Sequence, residues 1–285
     1  QSVLNQTYQN FEVIILDDLS TDNSKEVIEK YRNAPHVSQI VYNEKNTGLP
    51  FKQWDKGISL AKGEIIWLAE SDDSCDSRLL EVLVKDLVDT DSIYAFCSLI
   101  YMDTDSFLRN TLMNFGDKVV TWWSGKSFIS KYLRFNNSVA NASGCIFRKD
   151  AALQVDHQYE KYRGSGDWLF WIEMAELGNV VFDKRTLNYF RQHGDNTTAT
   201  LINNGTNMID NYDILVYLKK RNLITNKDVI RAKIRQFYVA KRSTFTKPQI
   251  KEKVLETWGY NWKYKLLLPI YTAYINFKRK VGSPL

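Results

Sequence analysis

Two pairs of adjacent aspartates, Asp17-Asp18 and Asp72-Asp73, each follow a short apolar run in this 285-residue chain. Phe11-Glu12-Val13-Ile14-Ile15-Leu16 precedes the first pair, and Glu64-Ile65-Ile66-Trp67-Leu68-Ala69 precedes Glu70-Ser71 and the second. Runs of β-branched and large apolar residues of this length read as buried strands, so each delivers carboxylates at its C-terminal end. Carboxylates gathered in one place repel and need a cation. A set of oxygen ligands suits Mg²⁺ or Mn²⁺, ions that share their coordination with substrate phosphates. The chemistry implied is a metal–diphosphate site, with the cation neutralising a leaving phosphate. The competing reading is that Asp17, Asp22 and the acids from Asp72 to Asp76 cap the helices that follow. Lys52 is a candidate for a donor phosphate, or else a residue of a solvated helix face.

The elements that must position these residues alternate. A strand over 11–16 is followed by a helix over 25–31, a strand over 37–42, a helix over 51–61, a strand over 64–69 and a helix over 77–88. Strand–helix alternation predicts an open α/β sheet, in which ligands bind beyond the carboxyl ends of the strands. Further on, the pattern predicts strands over 93–102, 143–148, 180–182 and 187–191, a helix over 122–135 and an amphipathic helix over 168–177. Trp168 and Trp171 read as core residues. A stretch rich in Thr, Asn and Gly over 194–207 marks a boundary, giving domains of 1–205 and 206–285, the second helical.

Composition bounds the class. The chain is 44% hydrophobic and 25% charged, which is globular rather than disordered or fibrous. It contains no apolar run long enough to span a bilayer. It opens without Met in a segment that reads as a helix already under way, so the expectation is a fragment whose first strand lies upstream. Three cysteines without metal spacing read as small buried hydrophobes of a reducing compartment.

The net charge of +5 hides an asymmetry: from Lys219 onward there are 17 Lys/Arg against 3 Asp/Glu. The tail mixes aromatic, basic and apolar residues over 262–271 and closes on Phe277-Lys278-Arg279-Lys280. That mixture fits peripheral contact with an anionic membrane, and nothing resembles a base-reading module, so nucleic acid is excluded as a partner.

Taken in order, the motifs resemble family 2 glycosyltransferases. The likeness runs through Gln1-Ser2-Val3-Leu4-Asn5-Gln6-Thr7-Tyr8, Asp17-Asp18-x-Ser20-Thr21-Asp22, Asn46-x-Gly48, Ala61-Lys62-Gly63-Glu64, Ser71-Asp72-Asp73, Gly166-Asp167-Trp168 and Tyr189-Phe190-Arg191-Gln192-His193-Gly194-Asp195-Asn196. It covers about residues 1–200 and implies a GT-A fold, a Rossmann-like mixed sheet flanked by helices. It implies inverting transfer of a sugar from a nucleotide-diphosphate donor to a hydroxyl of a glycan or lipid-linked acceptor, in cell-surface polysaccharide biosynthesis. The expected location is the cytoplasmic face of the membrane.

Carried over by position, the resemblance puts Asp18 on the nucleobase with Asp17 beside it, Asp72 near the ribose and diphosphate, Asp73 on the metal and Asp167 in the role of general base. His193 matches a position that approaches the diphosphate or metal. Two departures stand out: Gly166 occupies the place before the base where the family often has an acid, and Glu70 stands where it often has Asp. The other functions weighed are a nucleotidyltransferase and a non-catalytic nucleotide-sugar-binding scaffold.

Overall fold

The computed structural model describes residues 1–102, 108–111, 115–191 and 197–280, which divide into two compact units. The first holds Gln1–Lys131, Asn137–Tyr162 and Gly166–His193. The second holds Tyr132–Asn136, Arg163–Ser165 and the described part of Gly194–Leu285.

The first unit begins with alternating elements, as the hydrophobic pattern requires: β1 (Val13–Asp17), α1 (Ser24–Glu29), β2 (Val37–Tyr42), α2 (Pro50–Leu60), β3 (Ile65–Trp67), β4 (Ser74–Cys75) and α3 (Leu79–Asp89). Then come β5 (Ser92–Met102), β6 (Leu108–Thr111), β7 (Val120–Ser124), α4 (Gly125–Phe128), β8 (Cys145–Arg148), α5 (Lys149–Ala152), α6 (Gly166–Leu177) and β9 (Asn179–Arg191). The first residues form turns rather than the expected helix. Here the buried Gln6 caps α3, accepting from the Leu80 amide at 2.9 Å and donating to the Asp76 carbonyl at 3.0 Å. Helix α3 lacks a side-chain cap of its own, so the bond from the Leu80 amide satisfies a first-turn N–H that would otherwise be orphaned.

β1 and β2 pair in parallel as a two-stranded sheet. The remaining strands form a mixed seven-stranded sheet in the order β3-β8-β5-β9-β4, with β6 on β5 and β7 on β9. The parallel pair β5–β9 is its spine. Sequence pattern splits β9 into two strands because Asp183-Lys184-Arg185 interrupts the apolar run. In the sheet those residues fall at a register shift, where Cys97 faces Asp183 and Ser98 faces Thr186. The bulge absorbs the polar residues without ending the strand.

Two helix expectations are corrected in part. Of residues 122–135, the first three lie in Val120–Ser124, which pairs antiparallel with β9, whereas Gly125–Leu133 is helical, α4 passing into a π-helical turn over Ile129–Leu133. Val, Thr and Trp suit a pleated surface better than a helix. The helix starts only at Gly125, where an added Cβ would lie 1.5 Å from the Ala175 carbonyl oxygen. Helix α6 is not amphipathic: Trp168, Leu169, Phe170, Trp171, Ile172 and Met174 are all buried. It is apolar all round because it sits in the core, not on the surface. Its aromatics pack edge-on, Phe170 at 5.7 Å from Trp54 and Trp171 at 5.8 Å from Phe147. A second apolar layer joins Leu79, Leu83 and Leu87 of α3 to Ala95, Cys97, Ile146 and Val181. The three cysteines are free and buried.

The second unit contains α7 (Thr197–Asn203), α8 (Thr206–Lys220), α9 (Asn226–Arg242), α10 (Pro248–Thr257) and α11 (Trp262–Lys280). A capping box between Thr225 and Asp228 starts α9, and Arg134 pairs with Asp228 at 3.2 Å. Trp258 Nε1 donates to the Met208 carbonyl at 2.8 Å. On α11, Leu268 and Ile275 are buried while Trp262, Leu266, Ile270 and Phe277 are exposed. Among the described residues no helix is long and apolar enough to cross a membrane.

One buried acid in this framework is pH-sensitive. Asp86 of α3 hydrogen-bonds Asp183; burial and that neighbour push its carboxyl up to about 7, against the pull of Arg185. The folded chain therefore holds a proton that the unfolded chain has released, so stability falls as pH rises from about 4 through 7. Asp86→Asn removes this dependence. We expect the variant to melt a few degrees above the parent at pH 8, with that gain gone at pH 4.5, as read by thermal unfolding across the range.

Candidate active site

Asp17 closes β1 and is buried; its carboxylate turns back to accept from the Ser20 amide at 3.1 Å. Asp18 faces the loop after β2. It accepts from Asn43 Nδ2 at 2.6 Å, Thr47 Oγ1 at 2.8 Å, the Thr47 and Gly48 amides at 3.0 and 3.2 Å, and Gln53 Nε2 at 3.0 Å. Burial alone would raise its pKa, but the donors from Thr47, Asn43 and Gly48 outweigh it and hold the carboxyl below the usual range. Asp18 is thus the post around which residues 43–48 fold. Lys52 is exposed on α2, and nothing among the described residues bonds its amine. Two residues on the same helix that the sequence did not single out do reach this loop: Gln53 to Asp18, and Lys56 to Asn43 at 2.6 Å.

The second acidic group follows β3. Carboxylate oxygens of Glu70, Asp72 and Asp73 lie within 4.8 Å of one another. Burial in the crowded floor of the site, then the fields of Asp73, Asp72 and Asp167, push Glu70 up to about 8, although one side of the residue stays open to solvent. Burial also raises Asp73, against the hydrogen bonds it receives. Those bonds come from the Ser143 side chain, from Asn141 Nδ2 at 2.7 Å and from the Arg191 amide at 3.0 Å. Arg191 Nε donates to the Asp72 carbonyl at 2.9 Å, and the Glu70 amide donates to Ser143 Oγ at 3.0 Å. The acidic turn is pinned from two sides, by the end of β9 and by the segment before β8. Three hard oxygen donors gathered within 4.8 Å of one another fit a divalent ion of the Mg²⁺ or Mn²⁺ type, so Glu70 and Asp72, the latter expected only beside the ribose and diphosphate, join Asp73 as candidate ligands. Tight turns before the helices account for two other acids: Asp22 accepts from the Ser24 amide and Asp76 from the Arg78 amide, both at 2.9 Å.

Asp167 sits in the first turn of α6, half-buried. Burial pushes its carboxyl up to about 6, against the Trp168 amide at 2.7 Å and Asn137 Nδ2 at 2.7 Å. A carboxylate with a pKa near neutrality is suited to taking a proton. Gly166 has a steric reason: an added Cβ would come 2.4 Å from the Tyr159 carbonyl oxygen and 2.5 Å from the Phe51 ring. Trp168 and Trp171 are core residues, as expected. His193 lies outside the described residues. Sequence reasoning passed over Asn137, Asn141 and Ser143; short polar residues in a loop carry no pattern, and only their partners reveal them.

Comparison with known proteins follows the same lines. The family model described as Glycosyl transferase family 2 matches residues 1–155. Glycosyltransferase GlyG of Streptococcus pneumoniae is 36% identical over 92 residues, covering 32% of this chain and 30% of that protein. The cholesterol galactosyltransferase of Borreliella burgdorferi is 35% identical over 122 residues, 42% of this chain and 34% of that protein. The matched stretch therefore spans about a third of the length of these relatives. Among solved structures, Staphylococcus aureus TarS 1-349 in complex with UDP-GlcNAc aligns with a TM-score of 0.57 at 16% identity, over 89% of this chain and 64% of that one. At that identity the likeness speaks for the fold, and it is the GT-A arrangement of a mixed sheet flanked by helices.

The Asp18 post makes a specific prediction. In Asp18→Ala the Thr47 and Gly48 amides lose a charged acceptor, and such bonds contribute about 1.5–3 kcal/mol each. Hydrogen exchange at those two amides should quicken at least tenfold, whereas Lys52→Ala should leave it unchanged.

Proposed function

Because the chain belongs to glycosyl transferase family 2, we propose that it moves a sugar from a nucleotide-diphosphate donor to an acceptor hydroxyl with inversion at the anomeric carbon. The observation that carries this reading is the half-buried Asp167 carboxyl, poised at about 6 and within the electrostatic reach of Glu70 in the acidic turn. A proton acceptor and a cation-binding cluster in one site are what displacement at an anomeric centre needs.

Asp167 takes the proton of the acceptor hydroxyl as that oxygen attacks the anomeric carbon, and the bond from that carbon to the diphosphate oxygen breaks. Glu70, Asp72 and Asp73 would hold a Mg²⁺ or Mn²⁺ ion, which when bound supplies positive charge to the departing diphosphate. Asp18 holds residues 43–48 in the shape that receives the nucleobase, and buried Asp17 steadies the turn behind it. Asp72, the more exposed of its pair, turns toward the ribose and diphosphate. Lys52, unpaired at the surface, is a candidate for the donor phosphates, and His193 for the metal or diphosphate. Uridine diphosphate sugars are the first donors to test, since TarS was crystallised with UDP-GlcNAc. The acceptor is a glycan or lipid-linked hydroxyl of a cell-surface polysaccharide, reached at the cytoplasmic face of the membrane. TarS is named for transfer to poly(ribitol-phosphate), and another relative, TuaG of Bacillus subtilis, for teichuronic acid biosynthesis. We assign residues 1–205 to the transfer domain and 206–285 to a helical membrane-contacting region.

Nucleoside diphosphate release in the presence of Mn²⁺ tests the chemistry. Asp73→Ala and Asp167→Asn should each lower turnover at least a hundredfold. For the parent, kcat/KM should climb as pH rises through about 6, because the proton acceptor must be ionised. Parent-like turnover in both variants would refute the mechanism.

Membrane contact rests on α11. Trp262, Leu266, Ile270 and Phe277 share one exposed helical face, opposite the buried Leu268 and Ile275, in the part of the chain where basic residues outnumber acidic ones 17 to 3. An apolar stripe set among cations lies in the headgroup region of anionic bilayers. Co-sedimentation with vesicles should require anionic lipid, weaken as salt rises, and fall severalfold in the Trp262→Ala/Phe277→Ala double variant.

A further inference from the structure

The two carboxylates with the most different tasks in the proposed reaction hang from one short loop. Asn137 Nδ2 donates to Asp167 Oδ2 at 2.7 Å, and Asn141 Nδ2 donates to Asp73 Oδ2 at 2.7 Å. Neither amide is free to turn over. Asn137 Oδ1 accepts from the Val139 amide at 3.0 Å, and Asn141 Oδ1 accepts from the Ser143 amide at 2.7 Å. A backbone N–H only donates, so the oxygen of each side chain must face the loop and its NH₂ must face the carboxylate. The same turn is thus used twice, an asparagine closing on the amide two residues ahead. Val139 between them is fully buried, and Asn141 is 7% exposed. Asp167 and Asp73 lie far apart in the sequence, and the loop gives them a common reference.

We propose that residues 137–141 act as a positioning element for the transfer reaction, Asn137 aiming the proton acceptor Asp167 and Asn141 aiming the cation ligand Asp73, so that one rigid loop sets the separation between them. The inference rests on the roles proposed above for those two aspartates. It assigns the asparagines no contact with substrate. Their task is to remove rotational freedom from the groups that make such contact, because a misplacement of about 1 Å is enough to cost about a hundredfold in rate. Outer hydrogen bonds of this kind typically contribute 10–100-fold in metal affinity or activity.

The two arms differ in what they should change. Asn137 stabilises the ionised form of Asp167, alongside the Trp168 amide, and Glu70 is the acid whose field Asp167 shares. In Asn137→Ala the acidic limb of kcat/KM should move up by half a pH unit or more, with the half-saturating Mn²⁺ concentration unchanged. Carbon-13 NMR titration of the Asp167 carboxyl should move in the same direction without any substrate present. In Asn141→Ala the half-saturating Mn²⁺ concentration should rise at least tenfold while the acidic limb stays in place. A purely structural loop would lower the melting temperature and the active fraction together and shift neither quantity. That outcome, or parent-like behaviour in both variants, overturns the inference. Asp167→Asn and Asp73→Ala run in the same assay separate the two levels of argument. If these are parent-like, the underlying reading of the site is wrong. If they are inactive while the asparagine variants shift neither property, the positioning role alone is wrong.

Discussion

Mutual repulsion among carboxylates is the constraint around which the first unit is built. Glu70, Asp72 and Asp73 are held with oxygens inside 4.8 Å of one another, and loss of solvation together with the neighbouring charges pushes Glu70 up to about 8. Such a cluster cannot be left to a flexible loop, because any freedom would be spent on separating the charges. The fold answers with bonds from two directions. The end of β9 supplies the Arg191 amide and guanidinium, and the segment before β8 supplies Asn141 and Ser143. Both braces run back to the β5–β9–β8 part of the sheet, whose packing against α3 and α6 is the most completely buried region of the chain. The apolar core thus provides the stiffness against which like charges are kept together, at a cost in stability that a bound cation would offset.

Much of this was legible in the residues themselves. The apolar runs did locate the carboxylates: Asp17 is the last residue of β1 with Asp18 just beyond it, and Asp72-Asp73 lie in the turn between β3 and β4. Buried thiols, the tryptophans of α6 and the alternation of the first ninety residues followed from composition and period. The sequence did not show what each carboxylate is bonded to: Asp18 and Asp73 look alike in the chain, yet Asp18 gathers donors from 43–53 whereas Asp73 sits beside Glu70 and Asp72 and takes its donors from Asn141, Ser143 and the Arg191 amide. The bulge in β9 was misread as a break because charged residues inside a strand have no local signature when the register shifts around them. The start of the helix expected over 122–135 was misplaced for a related reason: Trp122 and Trp123 fit either period, and only pairing with β9 decides for the strand. The Gln6 cap on α3 was invisible because it spans more than seventy positions.

Charge is partitioned along the chain. The candidate site residues precede Lys219, in a part with 21 basic against 30 acidic residues, and the excess of cations follows it. The proposed roles call for opposite signs: a site that gathers a divalent ion needs negative potential, and the proposed contact with anionic lipid needs positive potential.

The packing around Gly166 limits how this chain can vary. The residue before the base candidate faces the Tyr159 carbonyl and the ring of Phe51, which itself packs on Trp54 at 5.0 Å. A side chain at position 166 would need two concessions at once: the ring at 51 must give way, and the backbone at 159 must shift, because its carbonyl oxygen stands 2.4 Å from where a Cβ would lie. Trimming Phe51 alone would not open the position, so the main chain of a neighbouring segment holds this glycine in place as firmly as the aromatic ring does.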